Sequence, residues 1–283
     1  MVEAVYLDTN AVSYLFKNPW HEARRLECLR RQLREDLRGG RLEFLTSIHV
    51  LAELSRIYRK DPALFKSVLD EILYLSESRI VREVGELTKV EARRKGGLRR
   101  ENLFLDADRT RGLLDRLQDE RFLQANDEAM HQETEKFLSE EKKARKHIGE
   151  LLKDTREDLT EEWFRNKSAV IESWCRDFMR EKRREWRLPR DERNWSHPTR
   201  MLSLWNLVSY HIARIYWIYG LGRKLDPSDK YDAAHFACSA YADVLVTSDK
   251  GLIAKAGLTG VGRLRITRFR DWVDAILLGL PVK

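Results

Sequence analysis

Four acidic residues of this chain have the type and the setting to hold a divalent cation. Asp8 closes the apolar run Val5-Tyr6-Leu7 and precedes Thr9-Asn10. Glu53 lies in Leu51-Ala52-Glu53-Leu54, shortly after the strand-like Leu42-Glu43-Phe44-Leu45-Thr46-Ser47. Asp232 opens Asp232-Ala233-Ala234-His235, and Asp249 closes Asp243-Val244-Leu245-Val246-Thr247-Ser248-Asp249. Asp8 and Asp249 stand at or just beyond the C-terminal ends of predicted buried strands, the edge where open parallel α/β sheets bind ligands. Carboxylates gathered there repel by about 3 kcal/mol per pair at ~5 Å and an effective dielectric near ~20. A hard cation with oxygen ligands removes that cost. The chemistry that suits these residues is phosphodiester hydrolysis at a Mg2+ or Mn2+ site, where the metal stabilises developing charge and generates a hydroxide-like nucleophile from water. Asp8 is the first candidate for a direct ligand. Asp232 and Asp249 follow, and Glu53 either ligates or orients the water.

Each residue also has a plainer reading. An Asp before a helix is an ordinary N-cap, which applies to Asp8. Glu53 can form a surface salt bridge. Asp226 and Asp229 are rivals of Asp232 and suit the capping of the helix start, and Asp243 suits a turn into a strand. His235, one turn after Asp232, can support it but fits a hydrogen-bonded core histidine better. Thr247 and Asn10 can bond the acids or satisfy nearby backbone groups.

The elements that must position these side chains alternate strand and helix at both ends of the chain. Ala4–Leu7 reads as a central strand, followed by helices over 11–16 and 20–37, the second with a stripe of Leu26, Leu29, Leu33 and Leu37. Leu42–Thr46 is a second strand. A helix then carries Val50, Leu51, Leu54 and Ile57, and Pro62 opens another at a first-turn position. A short strand over 79–84 and a helix over 86–95 lead to Gly96-Gly97. From there to about Lys224 the chain is charged and helical in pattern, with no clear strand and no sustained heptad. Leu113, Leu117, Phe137, Leu138, Ile148, Leu151 and Leu152 are its candidate inward residues, and Arg187–Thr199 is its clearest loop. Strand and helix alternate again from Asp226-Pro227, with a helix over 231–241, a strand over 244–247, a helix over 250–256 ended by Gly257, a strand over 264–267 and a helix over 272–278. This alternation predicts a parallel sheet covered on both faces.

The bulk properties narrow the class. The 283 residues are 42% hydrophobic and 35% charged, with a net charge of +7; the charged share exceeds the average of about 25% for soluble domains. A basic balance is compatible with RNA or DNA as a partner. Arg56, Arg59 and Lys60 after Glu53, and Arg93, Arg94, Lys95, Arg99 and Arg100, could line a phosphate path or form solvated helix faces. In the helical stretch, the basic runs 142–146 and 182–184 are offset by glutamates, which favours surface ion pairs. Its six tryptophans suit packing better than base stacking. Cys28, Cys175 and Cys238 form no Cys-x-x-Cys pair, so neither a zinc cluster nor a disulfide framework is expected, and they read as thiols of a reducing cytosol. No signal-peptide pattern opens the chain. The one membrane candidate, 204–221, contains Asn206, His211 and Arg214, each costly in lipid, and is read as a buried helix.

Taken together, Tyr6-Leu7-Asp8-Thr9-Asn10, Leu51-Ala52-Glu53-Leu54, Tyr231-Asp232-Ala233-Ala234-His235 and Leu245-Val246-Thr247-Ser248-Asp249 resemble the motifs of PIN-domain nucleases, in the same order and element context. The resemblance covers about residues 1–96 and 226–283. It implies an α/β fold, a three-layer α/β/α sandwich around a central parallel sheet, here carrying an inserted all-helical lobe over 97–225. It implies an Mg2+- or Mn2+-dependent endoribonuclease acting on RNA in the cytoplasm, as in VapC-type toxins and in ribosomal RNA processing and decay factors. It also implies Asp8, Glu53, Asp232 and Asp249 as the catalytic and metal-binding acids, with Thr247 and Asn10 in support. The alternatives are a catalytically weak PIN-like module that binds RNA or protein, and a toxin held by a small antitoxin. An antitoxin, another protein or a second copy of the chain are the partners these readings admit, and a membrane is not among them.

Overall fold

The computed structural model describes residues 2–94, 98–151, 156–224, 226–260 and 264–280, at backbone level alone for 141, 143–151 and 156–165. Five strands form one sheet: β1 (Glu3–Leu7), β2 (Leu42–Ser47), β3 (Ile80–Val81), β4 (Val244–Thr247) and β5 (Arg265–Arg268). All neighbours are parallel, in the order β3-β2-β1-β4-β5. β1 is central, as its sequence predicts, with Tyr6 opposite Leu45 of β2 on one side and Leu245 of β4 on the other. All of β4, and β1 beyond Glu3, is buried, which continuous apolar runs require when both faces are covered. The chain leaves β1 towards β2 and β3, and only later fills the other side with β4 and β5. The crevice between the C-terminal ends of β1 and β4 is therefore a topological switch point.

The first part contributes α1 (Thr9–Tyr14), α2 (Ala23–Arg38), α3 (Ile48–Lys60), α4 (Pro62–Leu75) and α5 (Val84–Arg93). α2 starts three residues later than its apolar pattern predicts, because Asn18 Oδ1 accepts the backbone N–H groups of Trp20 and His21 and holds that segment in a turn. Its Leu26, Leu29 and Leu33 are sealed in the core, each worth about 2 kcal/mol of burial. Asp61 Oδ1 caps α4 through Leu64 N at 2.9 Å, with Pro62 in the first turn as expected. The stop predicted at Gly96-Gly97 lies outside the described residues. The third strand shrinks to two residues, and its outer side is met by a single antiparallel bridge from Phe104 to Val81.

The helical stretch contains α6 (Ala107–Arg116), α7 (Glu120–Leu151), α8 (Arg156–Lys182, kinked at Asn166) and α9 (Leu202–Ile215), the last running into a π-helical turn over Tyr216–Gly220. No strand occurs there among the described residues. Trp186 and Trp195 are buried in a second apolar cluster with Cys175, Met179, Leu204 and Ile212, whereas Trp174 is 46% exposed. Leu117 is buried as expected, Leu113, Phe137 and Leu138 are partly so, and the side chains of Ile148, Leu151, Leu152 and Trp163 lie outside the described residues. Among the described residues no helix is long and apolar enough to cross a membrane. α9 instead joins two cores, since Tyr210 packs in the sheet core while Leu204, Val208 and Ile212 pack with α8. α10 (Asp229–Cys238), α11 (Lys250–Thr259) and α12 (Phe269–Leu278) complete the fold. α11 passes through Gly257 and stops at Gly260, whose φ of +64° is the left-handed geometry that ends helices.

One buried carboxylate fastens the helical stretch to the sheet domain. Glu91 on α5 accepts the N–H groups of Ser203 (2.8 Å) and Leu204 (3.1 Å), the unpaired first-turn donors of α9, and the hydroxyl of Tyr241. Burial pushes its carboxyl up to about 7, against the pull of those donors. The folded state thus keeps a proton that the unfolded chain releases near its ordinary value of 4.5. Stability from this group is full below that value and is lost as pH rises to about 7. Glu91→Ala should cost about 3 kcal/mol by leaving buried donors unpaired. Glu91→Gln should cost less and flatten the fall in stability between pH 5 and 8. Urea denaturation of the three proteins across that range measures both effects.

Candidate active site

Asp8 and Asp249 reach the switch-point crevice because β1 and β4 end side by side. Asp8 follows Leu7, which pairs with Val246, and Asp8 N donates to Val246 O at 3.1 Å. The Thr247 hydroxyl, on the last residue of β4, donates to Asp8 Oδ2 and accepts the N–H of Asp249 at 2.9 Å. One hydroxyl thus ties the two strand ends together and orients both acids. Both acids also cap helices, Asp8 Oδ1 through Ala11 N (2.6 Å) and Asp249 Oδ1 through Leu252 N (2.8 Å). The capping reading is therefore correct, but it uses only one oxygen of each carboxylate.

Glu53 extends from the second turn of α3 and is held by two groups. The Thr9 hydroxyl donates to its Oε2, and His235 Nε2 donates to the same oxygen at 2.9 Å. On the other side of the ring, Nδ1 lies 2.9 Å from the Tyr6 hydroxyl, itself 2.7 Å from Ser47 Oγ. In the imidazolium both ring nitrogens donate, and the Tyr6 hydroxyl then donates its hydrogen bond to Ser47 Oγ. Burial alone would lower the affinity of His235 for its second proton. Glu53, aided by Asp8 and Asp232, outweighs burial and raises it. Burial acts on Glu53 in the opposite sense, and His235, Thr9 and Arg56 bring its carboxyl below the ordinary value. His235 is thus the buried, hydrogen-bonded histidine that its sequence suggests, but it serves Glu53. Asn10 is exposed in the first turn of α1 and bonds none of the four acids; the support expected from it comes from Thr9.

Asp232 lies in the first turn of α10, where its Oδ2 accepts from Tyr210 OH (3.2 Å) and Ser228 Oγ (3.1 Å). Burial and the charge of Asp249 push its carboxyl up to about 8, and burial pushes Asp8 up to about 6. The neighbour expected to be a helix cap, Asp229, is fully buried and paired with the ammonium of Lys255, which is itself 1% exposed. Asp226 takes the turn-forming role, its Oδ1 accepting Ser228 N at 2.9 Å. Gly251 leaves room for Asp249 and Lys255. A Cβ there would stand 3.1 Å from both Asp249 Oδ1 and Lys255 Nζ.

The four predicted acids thus fall into two electrostatically linked pairs on one edge of the sheet. The charges of Asp8 and Glu53 act on each other and on His235, and those of Asp232 and Asp249 act on each other, with Lys255 acting on Asp232. Glu53 Oε1, Asp232 Oδ1 and Asp249 Oδ2 have no donor among the described residues and are not sealed from solvent. An all-carboxylate set of open oxygens matches a hard divalent cation in donor chemistry. Among the described residues, no three His, Cys, Asp or Glu side chains are drawn together closely enough to enclose one. Water would have to fill much of the coordination shell, which is the ordinary habit of Mg2+. Sequence reasoning missed Thr9, Tyr6 and Lys255. His235 had a signal in its spacing, three residues from Asp232 on one helical face. No protein-family model, curated protein or solved structure matches the chain.

The raised carboxyl of Asp232 has a measurable consequence. Its proton is lost in the folded state only near pH 8, far above its ordinary 3.8, so its contribution to stability declines across that window as pH rises. Asp232→Asn removes this cost. In the presence of a chelator, the Tm of the variant relative to the parent should rise steadily from pH 5 to pH 9, as read by thermal unfolding. A pH-independent difference would contradict a raised Asp232.

Proposed function

We propose that the chain is a PIN-like endoribonuclease, a three-layer α/β/α sandwich with a helical insertion, which hydrolyses RNA phosphodiesters with Mg2+ or Mn2+ held by Asp8, Glu53, Asp232 and Asp249. The observation that carries this reading is the position of Asp8 and Asp249 just past adjacent strand ends at the switch point, tied by Thr247, with Glu53 near enough to Asp8, and Asp232 to Asp249, for their charges to act on one another.

Bound there, a divalent ion would supply charge stabilisation and an activated water. The chain's own groups have distinct tasks. Asp8 is a ligand oriented by Thr247 and by Ala11 N. Asp232 Oδ1 and Asp249 Oδ2 are left without donors among the described residues and are the further ligands. Glu53, steered by Thr9 and His235, is placed to orient the attacking water or to complete the shell. The protons retained by Asp8 and Asp232 must leave when a cation binds, so metal affinity should increase with pH.

A second reading draws on the internal compensation of the site. His235 and Lys255 already neutralise part of the acidic charge, which suits a catalytically weak module that binds RNA or protein through the same face. RNA cleavage with Mn2+ separates the two. Asp8→Asn should reduce cleavage by roughly a hundredfold or more, and Thr247→Val by about tenfold, because orienting partners of metal ligands carry effects of that size. Both variants should keep the parent's circular dichroism spectrum. Full cleavage by Asp8→Asn in a chelator would sink the metal-dependent four-acid reading, and absence of cleavage by the parent would favour the second.

A further inference from the structure

We infer that Arg56, laid on the ring of Tyr231 at the rim of the acidic site, is a docking point for an RNA phosphodiester, an inference that rests on reading the acids as a nuclease centre. Arg56 lies three residues after Glu53 on α3, on the same helical face. Glu53 is the outermost acid of its pair, with its side chain 12% exposed, and Arg56 continues outward from it into solvent. The guanidinium carbon stands 5.0 Å from the centroid of the Tyr231 ring, and Tyr231 immediately precedes Asp232. One aromatic ring therefore joins the base of Asp232 to the basic group next to Glu53.

Arg56 differs from its basic neighbours in that the charge of Glu53 is felt at a distance while its N–H groups are engaged by no ion pair among the described residues. Among the described residues no carboxylate or carbonyl accepts from it, whereas Arg59 is bound to Asp127 at 3.2 Å and Lys230 to Glu133. Its shelf is fixed in advance. The Tyr231 hydroxyl donates to Met130 O at 3.0 Å and lies 3.2 Å from Thr134 Oγ1, both on α7. α7 also braces α3 itself, with Asn126 Nδ2 donating to Ala52 O at 3.0 Å, one residue before Glu53. The helical insertion thus positions both the shelf and the helix that bears Arg56. A stacked guanidinium with its N–H fork unspent is the arrangement that binds phosphate oxygens bidentately, at little further cost in side-chain entropy. An acidic peptide offers a poorer match, because the paired oxygens of a phosphodiester suit the planar fork of the stacked guanidinium and the next phosphates of an RNA would be received by the divalent cation that the nuclease reading places at the acids.

The test is equilibrium binding of a fluorescein-labelled single-stranded oligoribonucleotide, followed by anisotropy in a chelator over a KCl series. Arg56→Met keeps the stem and removes the charge. It should weaken binding about tenfold at low salt and reduce the slope of log Kd against log salt by about one. Arg56→Lys should restore the slope but not the full affinity, since it lacks the planar fork. Tyr231→Leu should weaken binding while the slope stays that of the parent. An unchanged Kd and slope in Arg56→Met would overturn the proposal. So would absence of RNA binding by the parent, or Arg56-dependent binding of labelled polyglutamate in place of RNA. Because cleavage plays no part in this readout, Arg56-dependent binding without Mn2+-dependent cleavage defeats only the nuclease reading. Intact cleavage with Arg56-independent binding defeats only the docking point.

Discussion

Repulsion among carboxylates at the end of a parallel sheet is the constraint around which this molecule is organised. Asp8, Glu53, Asp229, Asp232 and Asp249 come from both ends of the chain and meet in one buried region. Two basic side chains answer them, His235 against Glu53, which favours its protonated form, and Lys255 against Asp229. Two of the remaining acids, Asp8 and Asp232, retain protons well above their ordinary range. Backbone N–H groups and hydroxyls absorb the rest, through Ala11, Leu252, Thr9, Thr247, Tyr210 and Ser228. Compensation of this kind lowers the repulsion among the acids and still leaves oxygen atoms able to accept a cation.

The helical stretch takes part in the same arrangement. α9 supplies Tyr210, which bonds both Asp229 and Asp232, and its N-terminus is capped from α5 by Glu91. α7 touches α3 beside Glu53 and holds Tyr231 beside Asp232. A perturbation of the helical stretch is therefore felt at the acids through these hydrogen-bonded links. This integration explains why an uncharged run such as Leu204–Val208 is found inside a stretch otherwise rich in charge. It lies between the sheet core and the second cluster and is covered on both sides.

Much of the frame was legible because local pattern and tertiary demand agreed. The apolar runs ending at Leu7 and Thr247 can only be central strands, so Asp8 and Asp249 followed as edge residues. Asn206, His211 and Arg214 marked 204–221 as a protein-buried helix, and Asn206 indeed donates to Phe236 O at 3.1 Å. What escaped depended on contacts between elements distant in sequence. Nothing local distinguishes Asp229 from a helix cap, since its partner Lys255 comes from the next helix but arrives only when α10 and α11 pack together. Thr9 and Asn10 are equally polar, and the direction of the first turn of α1 decides which of them faces Glu53. The end of α11 was misplaced because Gly257 is tolerated within the helix, whereas Gly260 takes the positive φ that stops it.

The seam between β1 and β4 joins residues 239 positions apart. β1 acquires β2 early, but its other edge has no strand beside it until nearly the whole chain has been made. At about 5–20 residues per second of synthesis, that edge waits roughly 12–50 s on the ribosome. Val5, Tyr6 and Leu7 would present an apolar strand edge throughout, the kind of surface that recruits other chains. The sheet can therefore close only late in synthesis, and a change that slows the pairing of β4 with β1 lengthens the time for which that apolar edge is open.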